Sequence, residues 1–191
     1  MRLFVAIDLP AEIIAALDRL VARLRPTARL SWARPQNLHL TTKFIGEWPE
    51  ARLGELRTAL AALTRREPIP IQVRGVGFFP NPRAPRVFWV GVEAPPSLAE
   101  LAGATEQTLA RLGIAEERRP YSPHLTLARI KDPVPLQALN QAIEQLPSVE
   151  FGAFTADRFC LYQSTLHPSG AVYTRLAEFP FERPLPPRWQ E

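Results

Sequence analysis

Apolar and polar residues alternate along this chain in segments whose order is itself informative. Leu3, Phe4, Val5, Ala6 and Ile7 form a short apolar run bounded by Asp8 and Pro10, which predicts a buried strand over Arg2 to Leu9. Pro10 suits the first turn of a helix, where its missing N–H is not needed, and Ile13, Leu17, Leu20 and Leu24 then recur at helical spacing. Glu12, Asp18, Arg19 and Arg23 take the opposite face, and Pro26 ends the segment. A connection from Arg29 to Leu38 delivers a strand over Leu38 to Ile45, closed by Gly46. Leu53, Leu56, Leu60 and Leu63 predict a second helix within Glu50 to Arg66. Pro68 and Pro70 break it, and Ile69 to Val76 opens a further strand in which Gly75 and Gly77 imply a bulge or a close approach to the backbone. Phe78-Phe79-Pro80-Asn81-Pro82 reads as a turn with an aromatic lip.

The same order then recurs. Arg86 to Val92 predicts a strand, and Ser97-Leu98-Ala99-Glu100 has the form of a capping box that starts a helix ending at Gly113. Arg118 to Pro123 leads to a strand over His124 to Ile130. Asp132-Pro133 is the expected cap and first position of a fourth helix carrying Leu136, Leu139, Ile143 and Leu146. Val149 to Phe154, Phe159 to Gln163 and Val172 to Phe179 read as strands, the last two a hairpin around Leu166 to Gly170.

The recurrence has a fixed period. His39-Leu40-Thr41-Thr42 returns as His124-Leu125-Thr126-Leu127, 85 residues later. The same shift lays Arg34-Pro35 on Arg119-Pro120, Asp8-Leu9-Pro10 on Glu93-Ala94-Pro95, and Leu3 to Ile7 on Phe88 to Val92, with Gly91 the exception. Four matches in one register imply an internal duplication, about 2–85 and 87–170, inside a single bilobal domain 1–191 that ends in a C-terminal strand and a Pro-rich tail, 171–191. No Gly-rich phosphate cradle or dinucleotide fingerprint follows a strand. The expected fold class is therefore α+β, bilobal, with two pseudo-symmetric half-domains whose antiparallel sheets line a central cleft and whose helices lie outside. The two His-x-Thr strands should meet in that cleft.

Composition narrows the class of partner. At 191 residues and 46% hydrophobic, the chain can bury a substantial core. No stretch is long enough and free enough of charge to span a membrane, and the first residues read as a strand rather than a signal peptide. Cys160 is the single cysteine, in an apolar context, so there is no disulfide framework and the expected location is the cytoplasm. The net charge is +4, and 21 of the 23 basic residues are Arg, a planar donor suited to phosphate. That balance is compatible with a nucleic-acid or phosphoester partner without establishing one. No obligate protein partner is predicted.

Two histidines facing one point fit transfer at phosphorus. The reaction needs a base for the attacking oxygen and an acid for the leaving oxygen, and imidazole serves as either near neutral pH. On a strand, His39 and Thr41 share one face, as do His124 and Thr126. The threonine hydroxyls are placed to donate to non-bridging phosphate oxygens as charge develops there. Such a cage requires neither metal nor cofactor. The bland reading is that a repeated fold repeats structural residues, but two of only three histidines occupy equivalent positions. The third, His167, falls in a loop, read as solvent-exposed rather than as a third metal ligand. Candidate substrate contacts are Lys43, which shares parity with His39 and Thr41, Tyr121, and Arg129. Strand parity sets Arg129 opposite His124 unless a bulge intervenes. Tyr121, Phe44, Phe78 and Phe79 offer rings for a nucleobase, with core packing the default for the three Phe. Arg34 and Arg119 brace the incoming connections.

At these residues the sequence resembles the two-histidine (2H) phosphoesterase superfamily, and within it the bacterial and archaeal RNA 2',3'-cyclic phosphodiesterases, also called the 2'-5' RNA ligase family. The likeness rests on His39-Leu40-Thr41-Thr42-Lys43-Phe44, on Arg119-Pro120-Tyr121-Ser122-Pro123-His124-Leu125-Thr126-Leu127-Ala128-Arg129, and on the opening Arg2-Leu3-Phe4-Val5-Ala6-Ile7. It implies a bilobal α+β fold and hydrolysis of a terminal 2',3'-cyclic phosphate on RNA to a 2'-phosphomonoester. It further implies that His39 is proton donor to the leaving 3'-oxygen, that His124 is acceptor from water, and that Thr41 and Thr126 hold the phosphate. The pseudo-symmetry by itself leaves either histidine eligible for either role. Reversible 2'-5' ligation, with tRNA fragments among the RNA partners, also follows from the resemblance. The motifs fix the reacting phosphate and leave its surroundings open. An esterase for another cyclic phosphate and a non-catalytic RNA-end binding module are the alternatives, with a metal-dependent hydrolase third.

Overall fold

The apolar run after Arg2 is buried on both faces because it becomes a central strand. In the computed structural model, which describes residues 1–183, β1 (Arg2–Asp8) lies between β3 (His39–Glu47) and β8 (Arg158–His167). With β9 (Gly170–Pro180) these make a four-stranded antiparallel sheet in the order β3-β1-β8-β9. The two-residue period of the strand sends Leu3, Val5 and Ile7 into the main core. Phe4 and Ala6 point the other way and form a separate cluster with Cys160 and Tyr162, against which Tyr173 packs. Cys160 is fully buried, and burial pushes its thiol up to about 12.

The second sheet has five antiparallel strands in the order β2-β6-β5-β4-β7, where β2 is Ser31–Trp32, β4 Ile69–Phe79, β5 Val87–Glu93, β6 His124–Arg129 and β7 Glu150–Ala156. Chain order and sheet order are interlocked. β4 precedes β5 and joins it in the second sheet, while β8, late in the chain, returns to pair with β1 in the first.

The expected helices form outside the sheets. α1 (Ala11–Leu24) packs against β7 and buries Ile13, Leu17, Leu20, Val21 and Leu24. α2 (Leu53–Ala61) follows a single 3-10 turn at Glu50–Arg52 and packs on β9 and on α3 (Pro96–Ala110), which in turn packs on β3. α4 (Gln137–Glu144) lies beside α1. No helix among the described residues is long and apolar enough to cross a membrane. The observed fold is thus the expected α+β class with two antiparallel sheets.

Several boundaries differ from the pattern-based reading. α3 begins at Pro96 with no side-chain cap, so the Ser97/Glu100 capping box does not form. Pro95 and Pro96 already restrict the first turn. Asp132-Pro133 lies outside α4, because Pro135 disfavours helical geometry at Val134 and the helix starts only at Gln137. Phe78 and Phe79 belong to β4, and the turn starts after them. Trp32 belongs to the two-residue strand β2, which the connection had hidden. Of the two glycines expected to mark a bulge or a close approach, Gly75 takes a positive φ of 76° inside the register shift between Val73 and Val76, and a Cβ at Gly77 would fall 2.3 Å from the Trp89 ring. Gly91 makes a further close approach, its Cβ position 2.5 Å from the Arg74 carbonyl oxygen. Of the Pro-rich tail, Pro180 ends β9 and residues 184–191 lie outside the described residues.

Candidate active site

A bulge in each motif strand decides which side chains face the site. Opposite β1, the ladder runs Asp8 to His39, Ile7 to Leu40 and Ala6 to Thr41, and then moves from Ala6 to Val5 while β3 skips from Thr41 to Lys43. Thr42 is the extra residue, and its hydroxyl donates to the Val5 carbonyl at 3.2 Å. Past the bulge the parity inverts. Lys43 turns inward at 5% exposure, while Phe44 turns outward at 71%. The Lys43 Nζ donates to Glu106 at 2.6 Å and to the Ala115 carbonyl at 2.7 Å, so its expected place beside His39 and Thr41 is overturned.

β6 repeats the device with the opposite outcome for its cation. Trp89 faces Thr126 and Phe88 faces Ala128, which leaves Leu127 as the extra residue. Ala128 is buried and Arg129 exposed. Arg129 therefore shares a face with His124 and Thr126, correcting the simple parity argument.

The two histidines have different surroundings. The His39 ring lies 4.6 Å from the Tyr162 ring, 5.4 Å from Tyr173 and 5.9 Å from Phe4, centroid to centroid. Directly across the ladder, Asp8 accepts from the Tyr162 hydroxyl at 2.5 Å and pairs with Arg175 at 2.6 Å. Arg175 Nε also donates to the Tyr162 hydroxyl at 3.2 Å. Burial lowers the His39 pKa below its ordinary value, against the opposing charge of Asp8 and a hydrogen bond with the Asn37 backbone.

His124 lies edge-on to Phe79 at 5.1 Å, and its Nδ1 is 2.8 Å from the Ser122 carbonyl oxygen. A carbonyl only accepts, so that contact places the neutral imidazole's proton on Nδ1 and leaves the Nε2 lone pair for an incoming proton. Gly91, not an acid, stands across the ladder from His124. The shift that laid Asp8 on Glu93 is thus two residues out of step with the strand pairing. Glu93 instead faces Gln72 and lies 3.7 Å from Arg74.

The motif strands β3 and β6 lie against one another, and Tyr121 ties them: its hydroxyl donates to the Thr41 carbonyl at 3.1 Å. Burial raises the phenol pKa. Phe78 packs on Phe88, and Phe79 on Trp89. Arg34 braces the connection by donating to the Ser169 carbonyl at 2.7 Å, whereas Arg119 is exposed. His167 ends β8, exposed, opposite Gly170. Among the described residues no group of three or more His, Cys, Asp or Glu is placed to hold a metal ion.

Asp8, Tyr162 and Arg175 were not singled out by sequence. Tyr162 and Arg175 lie 154 and 167 residues from Asp8, with no local motif to link them. The available signal was parity: Asp8 shares the face of Phe4 and Ala6, opposite to that of the core residues Leu3, Val5 and Ile7. Two imidazoles, two hydroxyls and one exposed guanidinium on adjoining strands can together bind an anion and move protons to and from it.

A family model described as LigT like Phosphoesterase matches residues 7–89 and again 90–173. The RNA 2',3'-cyclic phosphodiesterase of Methanothermobacter thermautotrophicus is 35% identical over 181 residues, covering 94% of this chain and 98% of that protein. The protein of the same name from Thermus thermophilus is 37% identical over 186 residues, covering 94% and 89%. Among solved structures, a Thermus thermophilus protein superposes with a TM-score of 0.80 at 35% identity, covering 95% of this chain and 98% of that one. Escherichia coli LigT complexed with 3'-AMP gives 0.73 at 30% identity, covering 94% and 97%.

Proposed function

Because the chain belongs to the LigT-like phosphoesterase family, we propose that this phosphodiesterase opens the 2',3'-cyclic phosphate at the end of an RNA and leaves a 2'-phosphomonoester. The observation that carries the reading is the juxtaposition of two strands, β3 and β6, each presenting a His-x-Thr face and tied together through Tyr121 and the Thr41 carbonyl.

Water attacks phosphorus while His124 Nε2 takes its proton, and the bond from phosphorus to the 3'-oxygen breaks as His39 gives a proton to that oxygen. Two features of the surroundings support this division of roles. The Ser122 carbonyl holds His124 in the tautomer a base requires. Burial lowers the His39 pKa, and Asp8, across the ladder, is the largest influence acting the other way, toward the imidazolium that an acid requires. Thr41 and Thr126 donate to the non-bridging oxygens, and Arg129 balances phosphate charge from the same face as His124. The proton gained by His124 and the proton lost by His39 are exchanged with solvent between turnovers.

Replacing water by the 5'-hydroxyl of a second RNA would give a 2'-5' linkage through the same steps, so ligation of RNA fragments, tRNA halves among them, is a minor and reversible companion activity. The test is incubation of the pure protein with a short RNA carrying the cyclic end, in the presence of chelator and a 5'-hydroxyl acceptor, followed by product identification. A 2'-phosphate as the main product is expected. A 3'-phosphate would reverse the leaving oxygen, an excess of joined product would demote hydrolysis, and an unchanged end would refute the reading.

A further inference from the structure

A cavity of about 590 Å³ opens at the outer edge of the second sheet, lined by Arg25, Ala28, Arg29, Leu30, Trp32 and Arg34. Its ionisable lining is entirely arginine. Among the described residues none of the three forms an ion pair with a carboxylate, in contrast to Arg52, Arg74, Arg158 and Arg175. The cavity walls are held in place. Trp32 Nε1 donates to the Ala28 carbonyl at 3.1 Å, its ring meets Phe88 edge-on, and Arg34 is anchored on the Ser169 carbonyl at 2.7 Å.

Its position relates it to the candidate active site. Trp32 and Ser31 form β2, the edge strand beside β6, and Ser31 stands directly opposite Arg129. Trp32 stands opposite buried Ala128 and takes the other face of the sheet from Arg129, so a strand passing Arg129 turns over the β2 edge, about one 4.8 Å strand spacing away, to enter the cavity. We propose that Arg25, Arg29 and Arg34 form a second anion site that holds the phosphodiester backbone of the RNA upstream of its reacting end. This rests on the reading that the substrate is RNA. The site acts on the body of the strand, adding affinity for a long substrate over a cyclic mononucleotide, which ends in the cleft.

The experiment compares the wild type with the double variant Arg25→Gln/Arg29→Gln, both residues being exposed. Arg34 is left intact because of its structural hydrogen bond. Arg65→Gln/Arg111→Gln, exposed and outside the cavity lining, removes the same charge elsewhere. Binding is read by fluorescence anisotropy with a labelled single-stranded RNA bearing an ordinary 3'-hydroxyl, so it does not depend on turnover. The cavity variant should bind at least about fivefold more weakly, and its salt dependence should flatten by about 1.4 in log–log slope, two phosphate contacts at about 0.7 each on a single strand. The ratio of kcat/KM for a long cyclic-ended RNA to that for a cyclic mononucleotide should fall in parallel. Unchanged RNA affinity and slope, or an equal loss in the Arg65/Arg111 control, would overturn the site. Failure of the wild type to open any cyclic end would refute the proposed reaction while the anisotropy result still decides the cavity.

Discussion

Asp8 stands directly across the β1–β3 ladder from His39, while the corresponding place across from His124 is held by Gly91. This difference breaks the near symmetry of the two motif strands. Among the described residues, His39 alone of the two has a carboxylate across the ladder, fixed by Tyr162 and Arg175. Burial lowers the His39 pKa, and Asp8 is the largest influence raising it. If His39 is the acid, activity requires its protonated form and declines as pH rises through its pKa. Asp8→Asn removes the influence that favours that form, so the descending basic limb of kcat/KM should move to lower pH and the neutral-pH rate should fall. A pH–rate profile checks this, and an unmoved basic limb would separate Asp8 from the acid.

His39→Ala and His124→Ala should each lower kcat/KM by about 100-fold or more, the usual consequence of losing a general acid or base. Thr41→Ala or Thr126→Ala removes a donor to phosphate and leaves proton transfer in place, so a smaller loss is expected. Single-turnover kinetics on a cyclic-ended RNA measure both. A near-wild-type rate for either histidine variant would refute the paired roles.

The legibility of the site depended on how local each determinant was. His39, Thr41, His124 and Thr126 were legible because a strand's two-residue period and a repeated tetrapeptide are local features. The class of the fold followed from the spacing of apolar residues. The places of Lys43 and Arg129 were not legible, because an extra residue between motif and cation, Thr42 in one ladder and Leu127 in the other, inverts parity, and a bulge is defined by the partner strand. The Asp8–Tyr162–Arg175 network was hidden for the same reason: its members meet only after β8 and β9 return to β1.

Lys43 illustrates what the inversion does to a cation. Its ammonium bonds Glu106 on α3 and the Ala115 carbonyl, and Glu106 also accepts from the Glu117 N–H at 3.1 Å. The cluster fastens the approach to the second motif onto the first motif strand. Lys43→Ala leaves a largely buried carboxylate without its partner, a change that costs about 3 kcal/mol. Chemical denaturation should show that loss. The folded fraction should retain most of its turnover, since Lys43 does not face the histidines.

Arg129 should behave in the reverse way. It is exposed, shares the face of His124, and has no carboxylate partner among the described residues. Its removal therefore leaves no buried group unpaired, and Arg129→Ala should alter the denaturation midpoint little. If the guanidinium meets substrate phosphate, the lost charge-assisted hydrogen bond is worth about 1.5–3 kcal/mol, or about ten- to a hundredfold in kcat/KM. Arg129→Lys restores charge without the planar fork and should recover only part of the loss. Measuring stability and kcat/KM together for the Lys43 and Arg129 variants tests the bulges directly. Had the strands kept regular parity, Lys43 would be the cation whose loss impairs catalysis and Arg129 the one without effect.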